Sequence, residues 1–336
     1  MLSYFKNKIK FIISLIGRHR WPSNKSHLLI LAYHRVLPKN DPRYYFEQPA
    51  MVVTPETFEK NLTWAAQHFK LINLNSWLEL CKNNNAPKGK YCAITFDDGW
   101  IDNLEYALPI LKKHNAPATI YCVANMLNNN IDYWPGRVTK LINELSKQPS
   151  YINNPCFNWL NNACKQADIN WDKPKTEDFS NIIESLKIYK DLEIHNYINT
   201  TKQQLNLNYT EERQVLNKDE LLSMASTNLI DFGSHTSHHI RFKTDTPSSV
   251  LLEEIRDSKE RLRLQLNTDI PTFCYPNGYH PQNSVELAKK HYIGACTISS
   301  GWNNPNSNFS KLKRIGMHEG VAGDKYSFKA LLSGWF

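Results

Sequence analysis

At 336 residues, 41% of them apolar and 12% aromatic, the chain can hold one large domain or two modest ones and can bury a real core. Its formal charge of +8 is concentrated: Lys6, Lys8, Lys10, Arg18, Arg20, Lys25, Arg35 and Lys39 all precede the first acid, Asp41, and the remaining 32 cations (40 − 8) meet 32 acids. A general nucleic-acid binder spreads basic surface over its fold, so this distribution argues against a nucleic-acid partner.

Phe5, Ile9, Ile12, Ile13 and Ile16 recur at helical spacing, with Lys6 and Lys10 off the stripe. The apolar stretch Phe11 to Ile16 is too short to span a bilayer, and no small-x-small cleavage site follows it. The spacing predicts a helix with two readings of equal weight. One is a helix lying in a membrane interface near anionic lipid, a peripheral contact through residues 1–20. The other is a helix packed on the domain itself. Residues 1–25 are therefore set apart as a basic amphipathic segment ahead of a domain over 26–336.

His27 to Tyr33 is a continuous apolar run, as expected of a strand buried on both faces, and it ends in His34 and Arg35. Thr54-Pro55-Glu56 opens a helix with Thr as N-cap, and Phe58, Leu62, Ala65 and Ala66 mark its inner face. Lys70 to Leu74 suggests a short strand and Ser76 to Cys81 a helix. The run Ala93 to Phe96 then ends abruptly in Asp97, Asp98 and Gly99. Two adjacent carboxylates repel each other unless a cation or a proton relieves them. Taken alone, the pair equally fits a polar turn at a strand end.

A helix follows from about Asp102 to His114, with a kink expected at Pro109, and then the strand Ala118 to Val123. Strand, helix, strand at this spacing is a βαβ unit and implies a parallel sheet. Residues 125–215 are Asn-rich, with helical patches at Val138 to Leu145 and Phe179 to Leu192, and are expected to be a helical insertion. The core pattern resumes with a capping box at Asn217 and Glu220. Strands are expected at Leu229 to Phe232, Thr272 to Tyr275, Ile293 to Ile298 and Leu312 to Met317. Helices are expected along Val250 to Leu266 and from Ser284 to His291. Alternating elements with chemistry at successive strand ends predict a parallel barrel whose site lies at the C-terminal rim.

His235 and His239, four apart just after a strand, complete a constellation with Asp98: two imidazoles and one carboxylate, leaving a position open for water. His238 between them is expected to face outward. The seven cysteines have no paired spacing, and Cys92, Cys122, Cys274 and Cys296 read as small buried hydrophobes. A reduced, cytoplasmic protein is the simplest account, peripheral at the inner membrane if the N-terminal helix binds lipid.

Thr95-Phe96-Asp97-Asp98-Gly99, His235-Thr236-Ser237-His238-His239 and Phe273-Cys274-Tyr275-Pro276-Asn277-Gly278 resemble the three leading motifs of the polysaccharide deacetylases, carbohydrate esterase family 4. Tyr33-His34-Arg35-Val36 and Ala107-Leu108-Pro109-Ile110-Leu111 resemble supporting stretches, so the likeness runs from about residue 28 to the C-terminus. It implies an α/β fold, a distorted parallel (β/α) barrel of the polysaccharide deacetylase type with a helical insertion. It also implies metal-dependent removal of an N- or O-acyl group from a sugar; the expected partner is an N-acetylated glycan, or a lipid-linked saccharide if the N-terminal helix lies at a membrane. Carried over by position, Asp97 is the general base, and Asp98, His235 and His239 hold a divalent metal, with Zn²⁺ first among those the ligands suit.

Two departures stand out. The third motif often carries an arginine that orients the base; here Cys274 and Tyr275 precede Pro276, leaving Arg314 or Arg35 as substitutes. The late Leu-x-His motif that supplies the general acid is matched only loosely by Met317-His318, so His318 and His34 share that expectation. These departures motivate an alternative, a non-catalytic glycan-binding protein on the same fold. A phosphoesterase is a third possibility, although such sites generally recruit more carboxylates for two metals.

Overall fold

The computed structural model describes residues 2–45, 47–127, 133–146, 154–166, 176–209 and 212–335. The first apolar run forms β1 (Ser26–Tyr33), buried everywhere except at His27. Nine strands follow among the described residues: β2 (Arg35–Val36), β3 (Val52–Val53), β4 (Lys70–Leu71), β5 (Gly89–Phe96), β6 (Ala118–Cys122), β7 (Ile230–Ser234), β8 (Thr272–Cys274), β9 (Gly294–Cys296) and β10 (Ile315–Gly316). The main sheet runs β10-β1-β5-β6-β7-β8-β9, with β4 added beside β5, and every pair is parallel. β2 and β3 make a separate parallel pair.

Parallel neighbours need crossovers, and helices such as Pro55–Ala66, Leu74–Lys82, Leu108–Lys113 and Gln282–His291 supply them. Both edges of the sheet are joined by the short segment 312–316. Leu312 donates its N–H to Ala295 and accepts from Thr297 on the β9 side, while Ile315 and Gly316 pair with Leu31 and Ala32 of β1. The sheet thereby closes into a distorted (β/α) barrel.

Alternation along β1 explains why its sequence is apolar throughout. Leu29, Leu31 and Tyr33 join the core beneath the outer helices, where Phe58 and Leu62 of the helix Pro55–Ala66 pack. Leu28 and Ile30 join a second cluster with Ala93, Tyr121, Cys274, Cys296 and Leu312 from the other strands. Thr54 caps the Pro55–Ala66 helix as its sequence predicts, accepting from Thr57 N at 3.2 Å.

Several elements differ from expectation. The helix after Asp102 opens as a π-helical turn over Asn103–Ala107 and becomes α-helical only at Leu108–Lys113. Pro109 cannot donate a backbone hydrogen bond, and the widened turn preceding it takes the place of a sharp kink. Between β7 and β8 a second π-helical stretch, Leu252–Asp257, divides Ser248–Leu251 from Ser258–Leu266. The last two strands are shorter than their apolar runs.

Residues 38–51 and 130–214 form a second compact unit. Its helices include Trp134–Ser146, Asn158–Gln166, Thr176–Leu186 and Asp191–Gln204. Val138, Leu141, Phe157, Leu160, Ile182 and Ile194 lie in a core of its own. The single helix expected over Phe179 to Leu192 is two. It stops at Leu186, and a new helix starts at Asp191, where Glu193 Oε2 accepts from Lys190 N at 2.7 Å.

Candidate active site and metal centre

Parallel register brings the chemistry to one rim. Tyr33 pairs with Phe96, Cys122 with Ser234, and Cys274 with Cys296. The residues that follow these strand ends, His34, Asp97, Asp98 and His235, therefore emerge together. The backbone there is unusual. Among the described residues, nine other than glycine have positive φ, and six of these are Asn. The remaining three are Asp98 (φ 73°), Thr236 (φ 72°) and His239 (φ 59°), all at this rim. Such conformations persist only where the surroundings enforce them, and they cluster at functional sites.

Asp98, His235 and His239 face one another. Asp98 Oδ1 lies 3.4 Å from His235 Nε2 and 3.3 Å from His239 Nε2. These separations are long for a charge-assisted hydrogen bond, about 2.7–2.9 Å. They match the spacing of about 3.3–3.4 Å between two ligands that sit ~2.0–2.1 Å from a tetrahedral ion. His235 donates from Nδ1 to the Cys274 carbonyl at 2.7 Å, which leaves its Nε2 lone pair turned to the site. Trp100 Nε1 donates to Asp98 Oδ2 at 3.0 Å and fixes the other side of the carboxylate. Burial opposes ionisation of Asp98, but the two imidazoles hold its carboxyl well below the usual range. The donor set and its spacing thus fit a divalent cation.

Asp97 is held by a different partner. Arg314 donates from Nη1 to Oδ1 and from Nη2 to Oδ2, each at 2.7 Å, with both partners buried. The guanidinium spends its other donors on Thr297 O (3.0 Å), Thr95 Oγ1 (3.3 Å) and Cys274 Sγ (3.1 Å), so all five N–H groups are used. Burial alone would raise the Asp97 pKa. The charge and hydrogen bonds of Arg314 outweigh it, with His235 and His34 adding to them, and hold the carboxyl at about 2.

A second group with metal-ligand chemistry, Asp97, His235 and Cys274, also converges. Arg314 already occupies both Asp97 oxygens, and burial pushes the Cys274 thiol well up, so its thiolate is disfavoured. The Asp98 set is the better cation site.

Of the two substitutes for the motif arginine, the structure places Arg314 on Asp97. Arg35 is occupied elsewhere: its Nε and Nη2 each lie 2.8 Å from Asp102 Oδ2, and its guanidinium stacks 4.2 Å over Trp100. Asp102 Oδ1 also accepts from Val36 N at 2.7 Å. Arg35 therefore supports the indole that fixes Asp98. His34 comes to the site, with Nε2 3.8 Å from Asp97 Oδ2 and its side chain partly exposed. His318 stands at the N-cap of Glu319–Ala322 and makes no hydrogen bond or ion pair with Asp97; burial lowers its pKa.

His238 is exposed, as expected, and is also tethered. Its Nδ1 lies 2.6 Å from Glu254 Oε1, and Glu254 Oε2 accepts from the backbone N–H groups of Ser237 and His238, each at 3.0 Å. Glu254 sits in the π-helical stretch Leu252–Asp257 and anchors the loop that carries both histidines. Neither Glu254 nor Trp100 carries a sequence signal that marks it for these roles. Cys274, read as a buried hydrophobe, is buried as expected, but its Sγ also lies 3.5 Å from Asp97 Oδ2.

The model of a family described as "Polysaccharide deacetylase" matches residues 84–179 and 161–295, together more than half of the chain. No curated protein sequence matches. Among solved structures, the Streptococcus pyogenes deacetylase PplD, in complex with acetate, superposes with a TM-score of 0.57 at 17% identity, over 88% of this chain and 95% of that one. IcaB from Ammonifex degensii gives 0.57 at 14% identity over 91% and 98%. A de-N-acetylase from Aggregatibacter actinomycetemcomitans gives 0.56 at 14% over 90% and 98%. At these identities the likeness speaks for the fold.

Proposed function

The chain belongs to the polysaccharide deacetylase family, and from that premise we propose that it removes the acetyl group from an N-acetylated sugar of a polysaccharide or lipid-linked saccharide. The observation that carries this reading is the division of labour between adjacent carboxylates: Asp98 joins two imidazoles, while Asp97 stands beside them on its own arginine. Asp98, His235 and His239 would hold a divalent cation, Zn²⁺ first. A cation bound there polarises the amide carbonyl and acidifies water.

The remaining steps belong to the chain's own groups. Asp97 accepts a proton from the attacking water, and Arg314 fixes the plane in which its oxygens lie. The departing amine needs a proton. His34, close to Asp97 and reached by solvent, would give it, with His318 as the second candidate. His34→Ala is expected to lower kcat roughly 10²-fold with KM little changed, and His318→Ala less than tenfold. The reverse order, read in steady-state kinetics, would transfer the role to His318.

A non-catalytic glycan-binding protein is the alternative. The missing motif arginine and the loose match at Met317-His318 motivate it; Arg314 on Asp97 answers the first and supports the catalytic reading, while the second rests on the His34 and His318 comparison. The test is acetate release from N-acetylated oligosaccharides, with elemental analysis of the same sample. Activity should vanish on chelation and return with one equivalent of Zn²⁺ or Co²⁺ per chain. No release from any N-acetylated glycan by metal-loaded protein would overturn the catalytic reading, and two metals per chain would point to a phosphoesterase.

A further inference from the structure

The N-terminal helix, Leu2–Ile16, is mounted the wrong way round for a helix that serves only its own domain. It lies along the helix Lys325–Leu332, and over residues 8–17 its buried positions are small, with Lys10 and Ile13 half-buried beside them. Ser14 and Gly17 are buried, and Lys10 Nζ donates to Ser327 Oγ at 3.2 Å. Arg20 Nη1 reaches back to the Ser14 carbonyl at 3.3 Å and ties down the C-terminal end. Ile9, Phe11, Ile12, Leu15 and Ile16 are left between 42% and 54% exposed, and Trp21 just beyond is 62% exposed. Phe11 makes an edge-to-face contact with Tyr326, itself 47% exposed. Of the two fates open to an amphipathic helix, burial in its own core is not the one taken by Ile9, Ile12 and Ile16, while Ile13 of the same stripe is half-buried.

We infer that this face docks on the surface of an anionic lipid bilayer. Charge complementarity selects that occupant. Lys8, Arg18, Arg20 and Lys25 are exposed in the same segment as the stripe, Lys325 is exposed on the neighbouring helix, and Asp324 is an acid close to Lys10. No acid precedes Asp41 in the chain. Apolar side chains entering the acyl boundary, an indole at headgroup level and flanking cations are the chemistry of an interfacial helix. No described helix is long and apolar enough to cross a membrane, so the contact is one that lies on the surface. The inference stands on residues remote in sequence from the rim chemistry and holds whether or not that site is catalytic.

Vesicle co-sedimentation of the full chain tests it, using phosphatidylcholine vesicles with and without 30% phosphatidylglycerol. Binding should require the anionic lipid and weaken as salt is raised. Ile12→Ser/Leu15→Ser/Ile16→Ser should reduce partitioning at least tenfold, since burying even one large aliphatic side chain is worth roughly a factor of ten. Its unfolding midpoint and its acetate release from a soluble oligosaccharide should stay at wild-type values. Equal binding to neutral vesicles, or full binding by the triple variant, overturns the inference. So does a concentration-dependent dimer, seen by sedimentation velocity, that the triple variant abolishes while neither protein binds vesicles.

Discussion

Asp97→Asn is expected to lower acetate release roughly 10²–10⁴-fold, the range that a positioned general base supplies, while leaving one metal bound per chain. The substitution keeps the shape of the side chain and removes only its basicity. Asp98, His235 and His239 are untouched, so metal content by elemental analysis should not change. Asp98→Asn or His235→Ala should instead lose metal and activity together, because each takes one of the three groups proposed to hold it. Neighbouring residues in one strand end would then give different phenotypes, which a shared structural role does not produce. One side effect is built in. An Asn at position 97 turns an amide N–H₂ toward one arm of the Arg314 fork, so the variant should also melt earlier than wild type. Assay temperature must therefore lie well below both midpoints. A variant that keeps activity within tenfold of wild type, with metal in place, would remove Asp97 as the proton acceptor.

The legible and illegible parts of this site differ in physical kind. Asp97, Asp98, His235 and His239 could be read because each follows an apolar run that ends abruptly, and because parallel strands deliver their ends to one rim. The β1, β5, β6 and β7 runs were likewise visible as apolar blocks. Arg314 was harder. It lies 217 positions from Asp97, and the two meet only because the segment 312–316 closes the sheet between β9 and β1. Sequence could name Arg314 and Arg35 as rivals; the closure decides between them. Trp100 and Glu254 were not legible at all. Indole and carboxylate roles set by a side-chain hydrogen bond or a π-helical bulge leave no period in the sequence. The N-terminal stripe was visible, but the face that meets the domain carries Ser14, Gly17 and Lys10 beside Ile13, and hydrophobic periodicity ignores the first three.

Arg314→Met should be the most damaging single change to stability, costing about 3–5 kcal/mol, because it leaves a buried carboxylate without its partner. Wild-type Asp97 is depressed to about 2 against an ordinary value of 3.8. A carboxyl whose folded pKa is depressed contributes stability above its unfolded pKa and loses it as pH falls through the folded one. In wild type that contribution fades between about pH 4 and pH 2. Without Arg314 the largest remaining influence is burial, which raises the pKa, so the variant sheds its penalty as the acid protonates. The gap in unfolding free energy between the two proteins should therefore be widest near neutral pH and narrow on acidification, as denaturant titrations at several pH values would show. Adding Asp97→Asn to Arg314→Met should recover part of the loss, since it removes the stranded charge, whereas independent sites would simply add. Arg314→Lys should fall between, restoring charge but not the two-pronged geometry. Catalysis should follow the same order, with kcat down at least tenfold in Arg314→Met and the acid limb of its pH profile moved upward. A variant with wild-type stability at every pH would mean that the guanidinium is not what makes a buried carboxylate at position 97 tolerable.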